Sequence, residues 1–136
     1  MGRMGRRAVG ILLVTGFAAL GARVSAHHSM VAFDHTKLTT VEGTVTTVKW
    51  RNPHFMIEVA VPTGDGKTET WDVEGGSVAA GVAAGISPKT VKVGTKVKVF
   101  GHRHYDPKVH MAILNGIEVD GKYYSRNAEA RTSAAR

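Results

Sequence analysis

The chain contains no cysteine among its 136 residues. No disulfide can then staple the fold, so the domain must rely on its core, and thiolate is excluded from any metal site. Imidazole, carboxylate and thioether remain, a donor set that suits copper, zinc or nickel rather than an iron–sulfur cluster. Also missing are a Gly-x-Ser-x-Gly nucleophile turn and a phosphate-binding glycine loop. With no recognisable nucleophile and no specified substrate, the expectation is a protein that is not an enzyme. Past Ala22 no further apolar run is long enough to span a bilayer, so no membrane span is expected.

The apolar run that is present lies at the start. Arg3, Arg6 and Arg7 precede Ala8–Ala22, and Val24-Ser25-Ala26 places small residues where signal peptidase cuts. Residues 1–26 therefore read as a signal peptide, and the mature protein as periplasmic or secreted. Cleavage after Ala26 makes His27 the new amino terminus. Its imidazole and its α-amine, of ordinary pKa about 7.7–8.0, then form a ready metal chelate, with His28 next to it.

Charge needs the same correction. The full chain has 18 basic and 11 acidic residues. Without Arg3, Arg6, Arg7 and Arg23 the balance falls to +3, and the last twelve residues hold +2 of that. A core near +1 gives little support to a nucleic-acid partner, and none is expected.

Alternation of β-branched and polar residues marks a long strand over Lys37–Trp50, bent or bulged at Gly43, followed by the breaker Arg51-Asn52-Pro53. Further strands are expected over His54–Val61, Lys67–Glu74, Thr95–Gly101 and Val109–Val119. Ser77–Gly85 can make one or two helical turns, Asp120-Gly121 a turn, and residues 125–136 a disordered tail. Three strands, a short helix and two strands within residues 27–124 give the element order of an OB-like Greek-key barrel. A small β-sandwich is the alternative.

In that fold, loop 51–53 and loop 102–108 share the usual ligand rim, and His54, His102, His104 and His110 fall on or beside it. Centring the first hairpin on Gly64 sets His54 opposite Glu74 and Met56 opposite Asp72. A carboxylate beside an imidazole is how the tautomer of a metal-bound histidine is commonly fixed, which gives Glu74 a supporting role. Centring the second on Pro107 brings His104 near His110. Asn52 is expected to bond local backbone, and Trp50 and Trp71 to pack in the core or rim.

Ala26-His27-His28-Ser29, Phe33-Asp34, Thr40–Val45, Trp50-Arg51-Asn52-Pro53-His54 and Trp71–Glu74 together resemble a family of small exported bacterial proteins known as a domain of unknown function. Gly94-Thr95-Lys96-Val97, Gly101 and Asp120-Gly121 continue the likeness, which covers the whole mature domain. It implies a secreted or periplasmic β-rich domain without an assigned activity. Its shared histidines are His27, His28 and His54, which favours a terminal site completed by His54. The chain departs from the pattern over Ser77–Gly85 and in the histidine-rich stretch His102–His110.

Two functions follow as expectations. One is a binding module whose rim loops grip a protein, a glycan or another envelope ligand. The alternative is a copper- or zinc-binding protein using His27, His28, His54 and the loop histidines His102, His104 and His110, with Met30 and Met56 adding thioether character. The second faces a geometric objection: the terminus enters the first strand at the end away from the rim.

Overall fold

The structure, a computed structural model, describes residues 30–125. The signal segment 1–26, His27, His28 and residues 126–136 lie outside the described residues. Threonine and valine dominate β1 (Thr39–Lys49), as an extended, half-buried strand requires. Its first half pairs antiparallel with β4 (Lys96–Arg103), from Thr39 opposite Gly101 to Thr44 opposite Lys96. Its second half pairs with β2 (Met56–Pro62), so the strand changes partner at Thr44. The bulge lies between Val45 and Thr47 rather than at Gly43. Gly43 instead marks a close backbone approach, because a Cβ there would run into the carbonyl oxygen of Ala60.

β3 (Thr68–Glu74) pairs antiparallel with β2 and parallel with β5 (Met111–Val119), where Asp72, Val73 and Glu74 face Met111, Ala112 and Ile113. Since β5 also pairs with β4, the ring β1-β2-β3-β5-β4 is closed. The chain is thus an all-β, five-stranded barrel in OB-type order, and the β3–β5 pairing removes the sandwich alternative. Ile57, Val59, Val73, Val97, Val99 and Ile117 fill the interior.

α1 (Val78–Ala83) sits between β3 and β4. The Ser77 side chain caps it, accepting from the Ala80 amide at 3.2 Å, and Gly85 ends it with φ 82°. Phe55 is buried where Gly75 and Gly81 leave room for its ring; a Cβ on either glycine would collide with it.

A sixth strand was not expected. Asp120 and Gly121, with φ of 50° and 75°, form the tight left-handed turn that right-twisted hairpins favour. β6 (Lys122–Ser125) folds back along β5. Ser125, expected to open the tail, ends this strand, and its hydroxyl donates to the Asn115 carbonyl at 2.8 Å. Among the described residues no helix is long and apolar enough to cross a membrane.

Candidate functional site

The lead-in to β1 carries the main surprise. Met30–Ala32 forms a 3-10 turn, and Phe33 then makes a β-bridge with His104. The Asp34 amide donates to the Arg103 carbonyl at 2.9 Å, and the Tyr105 amide to the Ala32 carbonyl at 2.9 Å. Phe33 is 1% exposed and packs edge-on against His104, ring centroids 5.4 Å apart. The start of β1 lies beside the end of β4, so the lead-in extends that pairing onto the β4–β5 hairpin. The objection that the chain enters β1 at the far end does not hold for the described lead-in, because the antiparallel β1–β4 register brings it to this hairpin.

Five charged, aromatic or imidazole side chains and one proline border a cleft of about 280 Å³ there: Asp34, Lys37, Arg103, His104, Tyr105 and Pro107. Tyr105 is 61% exposed. Arg103 is held in place, with one guanidinium N–H donating to the Pro107 carbonyl at 2.7 Å and its carbon 5.1 Å from the centre of the Trp71 ring. The other face of the hairpin is a packed stack. His110 lies parallel to Trp71 at 5.4 Å, while Glu69 accepts from the Trp71 indole N–H at 2.8 Å and approaches His110 Nδ1 at 3.4 Å. Trp71 is only 5% exposed, which makes it packing rather than a stacking platform.

A larger cleft of about 390 Å³ lies at the opposite end of β4 and β5, among Glu42, Lys96, Lys98 and Glu118. No aromatic ring lines it, and its three carboxylates, Glu42, Glu118 and Asp120, outnumber its two lysines. The smaller cleft pairs one carboxylate, Asp34, with Lys37 at 3.5 Å and keeps Arg103 and the exposed Tyr105 ring beside them, which makes it the better candidate.

The histidines do not converge as expected. His54 Nδ1 does contact Glu74, but not across a directly paired position. The Thr63–Lys67 turn closes with the Thr63 amide on the Lys67 carbonyl, and Gly64 and Gly66 both take positive φ. That centres the hairpin on Asp65 and sets Met56, not His54, opposite Glu74, with Glu58 rather than Met56 opposite Asp72. In the second hairpin the His104 amide bonds the Met111 carbonyl, one residue beyond the expected register. A slip of one moves His110 to the other face from His104. His104 Nδ1 accepts from the Asp106 amide at 3.0 Å, whereas His110 meets Trp71 and Glu69.

His54 and His110 are likewise apart: their carboxylate partners, Glu74 and Glu69, stand five residues apart on β3, about 16 Å at strand spacing. Among the described residues no three histidine, aspartate or glutamate side chains gather closely enough to hold a metal ion. Asn52 also departs from expectation: its Oδ1 accepts from the Val78 amide at 3.1 Å, tying the first loop to α1. Trp50 rests on Phe55, centroids 4.8 Å apart. Met30 is 57% exposed, and Met56 lies in β2.

One residue was missed altogether. His35 lies beside His102, ring centroids 4.9 Å apart and planes tilted by 49°. Only the lead-in pairing brings them together, and no motif spacing signals it.

The lead-in has a pH dependence of its own. Hydrogen bonds from the Thr36 hydroxyl and amide, then the charge of Lys37 at 3.5 Å, hold the Asp34 carboxyl below its ordinary value of 3.8. A depressed folded pKa contributes stability above the ordinary value, and that contribution is lost as pH falls through the folded one. Amide signals of Asp34 and Tyr105 should therefore shift together below pH 3.8, and Asp34→Asn should abolish that shift while leaving the rest of the spectrum in place.

A sequence model for a family of unknown function (DUF6152) matches residues 15–112. The chain belongs to that family. Comparison with curated proteins finds no match. Among solved structures it is similar in fold to Rim1, a mitochondrial single-stranded DNA-binding protein from S. cerevisiae, at 13% identity and a TM-score of 0.48, covering 62% of this chain and 93% of that one. It is also similar to the S. pombe Stn1–Ten1 complex, at 12% identity and a TM-score of 0.47, covering 73% of this chain and 66% of that one. The expectation of no nucleic-acid partner, drawn from charge, is corrected here: the structures of similar fold include one named as a single-stranded DNA-binding protein, a property stated of Rim1 alone.

Proposed function

We propose that residues 1–26 export the chain and that the mature domain is a binding module, without catalysis, that takes a polyanionic, ring-bearing ligand at the β4–β5 rim. One observation carries this reading: Lys37, Arg103 and His104 border the same cleft as the exposed ring of Tyr105. Arginine and lysine meet carboxylate or phosphate groups, and an exposed tyrosine offers a flat face to a sugar or base. Preset by Pro107 and Trp71, the Arg103 fork loses less freedom on binding than a mobile side chain would.

The export signal favours an acidic envelope glycan as the source of that chemistry, and single-stranded nucleic acid shares it. Titration with an acidic glycan oligomer, a neutral glycan of equal length and a single-stranded oligonucleotide separates the two. The acidic glycan should bind, with Arg103→Gln weakening it roughly tenfold through loss of a charge-assisted contact. Tighter oligonucleotide binding would assign the rim to nucleic acid. Failure of all three to bind would overturn the proposal.

The copper or zinc reading keeps only part of its ligand set. His54 and His110 sit on separate carboxylates, Glu74 and Glu69, about 16 Å apart at strand spacing, so they do not share one ion, and His104 Nδ1 accepts from the Asp106 amide. What favours metal binding is the pair at the lead-in.

A further inference from the structure

His35 and His102 are held in complementary tautomers. His35 Nε2 lies 2.8 Å from the Met30 carbonyl, and His102 Nδ1 lies 3.1 Å from the Lys37 carbonyl and 3.2 Å from that of Asp34. A carbonyl oxygen only accepts, so each of those nitrogens carries the proton in the neutral ring. The lone pairs then sit on His35 Nδ1 and His102 Nε2, which have no hydrogen-bond partner among the described residues. Protonating one ring nitrogen against a backbone carbonyl is the arrangement that orients a metal-bound imidazole and raises its basicity.

Both rings are also mounted firmly. His102 belongs to β4, and His35 follows Phe33 and the Asp34–Thr36 turn that lock the lead-in down. The rings are close enough for one ion to serve both, at 4.9 Å between centroids.

We propose that His35 and His102 form a two-imidazole clip for a copper or zinc ion, at the edge of the barrel where the lead-in joins β4. Nitrogen donors without thiolate rank Cu(II) above Zn(II). The remaining coordination positions would be filled by water.

The test uses Cu(II) alone and Zn(II) alone, titrated into the full chain and into the chain beginning at His27. His35→Gln and His102→Gln should each weaken Cu(II) binding at least tenfold and remove one nitrogen from its electron paramagnetic resonance pattern. His54→Gln and Arg103→Gln should change neither. If a histidine variant folds poorly, substoichiometric Cu(II) added to the unaltered protein should broaden the His35 and His102 ring signals before those of His54 and His110. Absence of binding, or binding that keeps its affinity and nitrogen count in both variants, would overturn the clip. Because Arg103→Gln separates the two sites, failure of the clip and failure of the polyanion reading remain distinguishable.

Discussion

Phe33→Ala should cost the folded domain about 3–5 kcal/mol, the range for deleting a buried aromatic ring, read as a lower urea midpoint at unchanged slope. Phe33 is as buried as the barrel interior, although it precedes the first strand by six residues. Its ring fills the seam between the lead-in and His104, and the two backbone hydrogen bonds beside it depend on that seam staying closed. Opening it also separates His35 from His102 and removes Asp34 and Lys37 from the cleft. Stability and rim binding should therefore fall together. A loss below about 1 kcal/mol, the level of an ordinary surface change, would mean that the lead-in is not part of the folded unit.

Gly43→Ala should be nearly as damaging, at about 3 kcal/mol, the upper end of the cost of over-packing. The added methyl would meet the carbonyl oxygen of Ala60 and a methyl of Val59, and the first of these is backbone in a paired strand. A flexible side chain can turn aside, whereas a carbonyl in a ladder cannot move without breaking its pairing. The collision falls next to Thr44, where β1 passes from β4 to β2, so relief would have to open the barrel wall. Thermal unfolding of the variant measures the effect. A midpoint within a degree of the unaltered chain would show that β1 and β2 lie farther apart there.

The barrel was legible because its strands alternate. Ile57, Val59, Val73, Val97 and Val99 all point inward as period-two reading requires. Registers were less legible, since they depend on turn geometry: two positive-φ glycines moved the first hairpin's centre from Gly64 to Asp65. The His54–Glu74 contact nevertheless forms, because side chains two positions out of register can still meet diagonally. The second hairpin slipped by one residue, which separates His104 from His110. β6 escaped notice because four residues are too few to show a period, and only the Asp120-Gly121 turn hinted at it. The lead-in was hidden for a different reason. Its attachment rests on one bridge, one buried aromatic ring and the contacts of His102 with Asp34, His35 and Lys37, all set by the β1–β4 register rather than by its own composition. The candidate site therefore moved from four histidines on a shared rim to the cleft and histidine pair that the lead-in completes.

The most direct test of this account is an amide chemical-shift map of the mature domain during titration with an acidic glycan oligomer and, separately, a single-stranded oligonucleotide. Binding at the rim predicts that the largest shifts fall on Lys37, Arg103, His104 and Tyr105 with whichever polyanion binds. Shifts centred on Glu42, Lys96 and Lys98 at the opposite end of the barrel, with the rim unchanged, would contradict it.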